Sequence, residues 1–307
     1  MLVRSGARAL GLLTLVWALA LLGAPASCAQ EPLVVEDALG QRFTFEQPPQ
    51  RIVALSPSIT ENLFAVGAGE QVVGVSAYST YPPEAARLPV VSDAVQVNLE
   101  RLLSLEPDLV VGDVQVVRAH VERLQALGVP VFAVDVPDLE SLFETLLLLG
   151  RMTGHQETAQ ALVEGLRARV AAVEARTGHL PADQRPLVFV EVWHEPLMTA
   201  GPGSFIDELV TRAGGRNLAF DAPTPWPTYS VETVLARDPE VILLTNRYRE
   251  EVLARPAWQE VRAIQTGRVY EVEPDWLTIT GPRLVDGLEA LAQLFHPELF
   301  PAEEGPN

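Results

Sequence analysis

One cysteine in 307 residues leaves Cys28 without a partner, so an internal disulfide is excluded and a thiolate metal site has little to build on. Histidine is almost as scarce. The five, at positions 120, 155, 179, 194 and 296, never fall at metal-ligand spacing, so no metal and no resident cofactor are expected. Cations are short too: 22 Lys and Arg face 40 Asp and Glu, a formal charge of −18. So acidic a surface repels nucleic acid and anionic lipid, and suits a partner with a basic face. Signatures of covalent chemistry are also missing. There is no Gly-x-Ser-x-Gly elbow, and Ser56 and Ser58 have no assigned base partner. Gly67, Gly69 and Gly74 follow a helix and precede a strand, the reverse of a dinucleotide fingerprint. The Gly-rich turn at 199–203 lacks the Lys of a phosphate loop and reads as a lead-in to a helix capped by Ser204.

What is present argues for order. A hydrophobic content of 48% with 20% charged residues excludes disorder, and the length suffices for two modest cores. Residues 1–29 read as a leader: Arg4 and Arg8 precede an apolar run at 9–23 that is short for a membrane span, and Ala24-Pro25-Ala26 resembles a peptidase site. Removing it takes two positive charges away. Cys28, just past the apolar run, hints at a bacterial lipoprotein, although Pro25 stands where such a box usually has Leu. Lipidation and plain cleavage are both open; export is expected either way.

The remainder divides about one long helix at 155–177, where Leu162, Leu166, Val170 and Val173 share a face and Gly178 and Pro181 form a stop. The chain says similar things on either side of it. Asn98-Leu-Glu100 leads through Pro107 into an apolar run; Ser230-Val-Glu232 leads through Pro239 into another. A helix feeding a buried strand is thus used twice. Strands are expected at 51–56, 71–75, 90–91, 109–111 and 129–134, then at 187–192, 241–244 and 269–272. Helices are expected at 59–66 (with Thr60-Glu61 as an acidic first turn), 118–127, 139–150, 205–212, 250–261 and 283–295, with a turn at Asp275-Trp276. The alternation predicts an α/β fold with mostly parallel sheets: leader 1–29, N-terminal lobe 30–153, connecting helix 154–180 and C-terminal lobe 181–307.

Ligands of such sheets sit beyond the strands' C-terminal ends. Tyr78, Tyr81, Trp193, Trp226 and Trp276 all fall where strands give way to loops, whereas Trp258 lies in a helical stretch and reads as packing. Planar side chains there would line an amphipathic cleft. Asp113 and Asp135 end strands and read either as a carboxylate pair or as caps.

Five stretches together resemble the solute-binding proteins of the ABC importers for cobalamin, ferric siderophores and heme, nearest to the cobalamin branch. They are Ser76-Ala-Tyr78-Ser-Thr-Tyr81-Pro-Pro, Asn98-Leu-Glu100-Arg, Pro225-Trp226-Pro227, Val234-Leu-Ala-Arg237, and Asp275-Trp276 followed by Gly281-Pro-Arg283. The match runs from about residue 50 to the C-terminus. The resemblance implies two Rossmann-like lobes bridged by one long helix, the class III arrangement of periplasmic binding proteins, with only small closure on the ligand. It implies a non-enzymatic protein, monomeric when free, at the periplasm or the outer face of the cytoplasmic membrane. Such a protein captures a corrinoid and delivers it to an ABC permease dimer; a ferric siderophore or heme is the alternative cargo. Expected ligand contacts are Ser58, Tyr78, Trp193, Trp226, Asp275, Trp276 and Arg283. Glu100 and Glu232 match the acids that dock on permease arginines. The chain departs from the branch at Ala94 and Asp113, where it has Trp. Near the expected cleft the cations are Arg118, Arg247, Arg249 and Arg283, which favours a ligand of low net charge. A hydrolase or transferase on this scaffold would instead need an acid–base set such as Asp113 with His194.

Overall fold

Two separate parallel sheets organise the chain in a computed structural model that describes residues 32–93 and 96–301. The expected leader, Cys28 and Ala94 lie outside the described residues. The first sheet comprises β1 (Ile52–Ala54), β2 (Val72–Ser76), β3 (Val90–Ser92), β4 (Leu109–Asp113) and β5 (Val131–Val134), in the order β3-β2-β1-β4-β5. The second comprises β6 (Leu187–Glu191), β7 (Arg216–Asn217), β8 (Val241–Leu244) and β9 (Val269–Glu271), in the order β7-β6-β8-β9. All pairings within both sheets are parallel. Such strands are covered on both faces, which is why β5 (Val-Phe-Ala-Val) and β8 (Val-Ile-Leu-Leu) are apolar and buried throughout. In both sheets the first strand lies inside and the later ones extend outward, β1-β4-β5 in one and β6-β8-β9 in the other.

The repeated Glu–Pro unit has the same place in each. Helix α1 (Pro57–Ala65) follows β1, and α2 (Leu99–Ser104) feeds β4. Asn98 caps α2 by accepting from the Arg101 N–H at 3.0 Å. The N-terminal lobe closes with α3 (Leu139–Thr153), followed by the long α4 (Gln156–Thr177) and then α5 (Phe205–Arg212). In the second lobe α6 (Val231–Arg237), capped by Ser230 on the Thr233 N–H at 3.1 Å, feeds β8, and α7 (Leu284–Phe295) ends the fold. From Leu33 onward the described residues form one contact unit.

Helix α4 buries Ala159, Val163, Leu166, Val170, Val173 and Thr177, a face stepping by fours and threes; Leu162, expected on it, sits half-buried at its edge. Its start lies so close to α3 that a Cβ on Gly150 would fall 2.3 Å from the Ala159 Cβ. Farther along, Arg169 donates to Asp286 at 2.5 Å and to Glu289 at 2.6 and 2.9 Å, tying α4 to α7. The helix does not end on a left-handed glycine. Gly178 keeps φ at −64°, and Thr177 Oγ1 donates to the Arg212 carbonyl at 2.6 Å instead.

Three expected elements differ. The helix at 118–127 is two short pieces, Val114–Val117 and Val121–Ala126. The one at 250–261 stops at Ala254, because Pro256 has no N–H to continue it, and resumes only at Arg262–Gln265. The Asp275-Trp276 turn is the start of a single helical turn, Asp275–Thr278. Two antiparallel hairpins, Leu33–Glu36 with Arg42–Phe45 and Trp193–His194 with Leu197–Met198, were not foreseen.

Candidate functional site

The C-terminal ends of β1, β2 and β4 meet in a hydroxyl-rich floor. Ser56 and Ser58 follow β1, with their Oγ atoms 3.1 Å apart. Thr60 Oγ1 lies 2.8 Å from Ser79 Oγ, which is 2.9 Å from Ser76 Oγ at the end of β2. These buried bonds pin the 76–81 loop to α1 and leave Tyr78 out at 60% exposure. Asp113 ends β4 and accepts from Ser58 Oγ at 2.7 Å. Burial raises the Asp113 pKa; hydrogen bonds from Ser56 and Ser58 oppose the rise, and the charge of Asp135 adds to it.

Facing this floor are Thr278, Ile279 and Thr280, and the two sides enclose a cavity of about 360 Å³. Its lining includes Asp93, Asp113, three serines and Tyr78, and contains no Arg or His. The chain has no lysine at all. A larger cavity, about 590 Å³, lies between the N-terminal hairpin, β5, α3 and the start of α4. It draws no residue from the chain beyond the long helix, so the smaller cavity, which is closed by Thr278–Thr280 of the second lobe, is the better candidate.

Beside that cavity Arg283 joins the two lobes. It donates to Glu61 Oε2 at 2.7 and 2.8 Å and to Asp275 Oδ2 at 3.2 Å, and its guanidinium lies 4.1 Å from the Tyr81 ring centroid. Asn62 Nδ2 donates to the Thr280 carbonyl at 3.1 Å. A Cβ on Gly281 would lie 2.7 Å from Glu61 Oε1, so only glycine allows this approach. Arg283 and Asp275, expected as ligand contacts, are therefore occupied with each other and with Glu61. Glu61 itself is not a first-turn residue exposed to the helix dipole. It is 2% exposed and forms the first lobe's half of an ion pair. A single Glu in Pro-Ser-Ile-Thr-Glu-Asn-Leu-Phe-Ala, a helix whose neighbouring positions all bury, was the available signal.

The other expected residues are dispersed. Trp193 is 48% exposed on its hairpin, with Nε1 donating to the Glu195 carbonyl at 2.9 Å. Trp226 is 40% exposed and meets the Phe205 ring edge-on at 5.4 Å. Its Pro-rich loop is anchored by the Gly201 N–H on the Pro225 carbonyl at 2.9 Å. Neither tryptophan lines the 360 Å³ cavity, whereas Ser58 and Tyr78 do. Trp276 packs half-buried against the main core, and Trp258 is buried beside Phe189, as packing requires. His194 meets the Tyr248 ring at a 52° tilt with centroids 4.6 Å apart, and it is not in the cavity lining with Asp113, so the two form no acid–base set there. Among the described residues no His, Cys, Asp or Glu cluster could hold a metal. Glu100 and Glu232 are exposed in the first turns of α2 and α6, and neither forms an ion pair among the described residues.

A cavity between two α/β lobes, at strand ends, is the arrangement of a two-lobed ligand-binding protein. Residues 52–276 match the periplasmic binding protein family, and the chain belongs to that family of extracytoplasmic, non-enzymatic solute binders. It is 32% identical over 275 residues to the ABC transporter substrate-binding lipoprotein YvrC of Bacillus subtilis, covering 88% of this chain and 87% of that one. It is 33% identical over 253 residues to the vitamin B12-binding protein of Photorhabdus laumondii, covering 80% and 87%. Among solved structures it is similar to the vitamin B12-binding protein of Vibrio cholerae (TM-score 0.71, 28% identity, 83% of this chain and 99% of that one). A heme-binding protein of Pseudomonas aeruginosa is similar too (TM-score 0.73, 31% identity, 81% and 93%).

Proposed function

We propose that the protein is the substrate-binding component of an ABC importer and that it carries a corrinoid in the interlobe cleft. The observation that carries this reading is the cavity lining: hydroxyls, carboxylates and Tyr78, with no cation. Heme propionates and ferric catecholates are anionic and call for Arg or Lys, whereas a corrinoid is a broad macrocycle rimmed by neutral amides. Exposed Tyr78, Trp193 and Trp226 supply flat apolar faces for such a ring system, with Ser58 at the floor. Asp275 and Arg283 shape the cleft through the interlobe ion pair, with Trp276 packed beside them on the core. The vitamin B12-binding relatives support the same cargo. The working units are the N-terminal lobe at 30–153, the connecting helix at 154–180 and the C-terminal lobe at 181–307.

Glu100 and Glu232 dock the loaded protein on basic residues of a permease dimer. Both stand free at the start of equivalent helices, and docking charges of this kind set registry and encounter rate. The lipoprotein relative supports lipid attachment at Cys28, which mass spectrometry of the mature N-terminus would decide. A heme reading has one observation in its favour: His194 Nδ1 is buried without a partner beside Tyr248, a donor type that ligates heme iron.

The test is titration of the purified protein with cyanocobalamin, hemin and a ferrihydroxamate while following tryptophan fluorescence. Cyanocobalamin should quench it, and Trp193→Ala with Trp226→Ala should weaken binding by about tenfold or more. Silence toward cyanocobalamin with a tight response to hemin would reverse the order of the two readings.

A further inference from the structure

We propose that Asp113 selects the ligand by charge: in the interlobe cavity it accepts a hydrogen bond from an N–H or O–H on the ligand's rim and rejects ligands that present an anion there. This rests on the corrinoid reading only for the identity of the donor, a peripheral amide N–H.

The placement is specific. Asp113 closes β4, the strand beside the innermost one, and stands half-buried in the cavity lining. Its protein partners are hydroxyls, Ser58 Oγ at 2.7 Å and Ser56 next to it. A carboxylate offers about four acceptor positions, so two serines do not saturate it. No cation lines the cavity to balance it. Arg283, which stands beside the cavity, is committed to Glu61 and Asp275, and the nearby Asp135 carries the same sign. A charged carboxylate in such a place is costly until a donor completes its shell. A ligand donor does that on binding. A ligand carboxylate or phenolate at the same point would face uncompensated repulsion in a medium that screens poorly.

Thr278, Ile279 and Thr280 close the opposite wall, so the group opposite Asp113 is held between the lobes and not left free to turn into bulk water. The second side therefore shapes the ligand, and Asp113 reads its polarity. Asn or Ser at the same position would keep hydrogen bonding and lose the sign preference.

The experiment compares cyanocobalamin with its monocarboxylic acids, in which one peripheral amide is hydrolysed, by calorimetry at neutral pH on the wild-type protein and on Asp113→Asn. At least one monocarboxylic acid should bind the wild type about tenfold or more weakly than the parent, and the gap should close to about threefold or less on the variant. Equal ratios on both proteins would overturn the assignment. Thermal melts check folding, and Asp113→Ser provides a second neutral variant. If the wild type ignores cyanocobalamin and binds hemin, the corrinoid reading fails while this one is still decided: Asp113→Asn must tighten the dianionic hemin by about threefold or more. An unchanged hemin affinity sinks it, and binding of neither probe sinks both.

Discussion

The two lobes repeat a strand order and a capped helix, yet they furnish the cleft with different chemistry. The first contributes five strands and a floor of serines around Asp113. The second contributes four strands and a Thr-Ile-Thr wall, and its exposed tryptophans, Trp193 and Trp226, stand outside the cavity lining. The cores explain the likeness: apolar strands fed by short helices admit few topologies. Loop residues answer to no such packing constraint, so the duplicated frame leaves recognition free to diverge.

The sharpest way to break this comparison is to cut what joins the halves. Glu61→Gln or Arg283→Ala leaves a partner largely buried without its counter-charge and should cost about 3–5 kcal/mol in chemical denaturation. Arg262→Ala, which removes pairs confined to the second lobe's surface, should cost about 1 kcal/mol or less. Similar losses from both would mean that the interlobe pair is not special.

A smaller effect isolates the first lobe's floor. Burial raises the Asp113 pKa in the folded state, so the folded protein holds that proton more tightly than the unfolded chain. The resulting stability is complete below the unfolded carboxylate value, about 3.9, and is lost as pH rises through the folded one. Asp113→Asn should therefore gain melting temperature relative to wild type between acid and neutral pH. A constant difference across that range would contradict the assignment of burial as the cause.

The smallest expected change lies at the matched acids. Glu100→Ala and Glu232→Ala should each alter stability by about 0.5 kcal/mol or less, since both side chains are exposed and unpaired. Together they should spare ligand affinity and abolish ligand-stimulated transport in reconstituted vesicles. Intact transport would refute the docking role, and a one-sided effect would show that the lobes engage the permease unequally.

Much of the frame was legible in advance. The Glu–Pro repeat announced α2 with β4 and α6 with β8, and the ranges of α5 and β8 were read at their observed limits. Periodicity serves well where one face is buried and length is sufficient. It failed for the two hairpins, whose short strands carry too few alternations to register. It also failed around Pro256, where apolar spacing continues past a residue that cannot extend a helix. Of the residues expected from strand-end position, Tyr78 lines the cavity, as Ser58 does, while Trp193 and Trp226 stand outside its lining. Arg283 was expected at the cleft, but its pairing was not legible, because its partner Glu61 lies 222 residues away. No local pattern reports a contact of that span, and a lone acid near a helix start looks like a dipole residue until its burial is known.

The mounting of the long helix has a mechanical consequence. At one end Gly150 and Ala159 bring it against the first lobe with no room for another methyl group, and partway along Arg169 bolts it to the last helix of the second. A strut seated in both halves cannot serve as a soft pivot, so a push on one half is relayed to the other with little slack. Any relative motion of the two halves therefore loads the contacts that join them, the Glu61–Arg283 ion pair and the Asn62–Thr280 hydrogen bond among them.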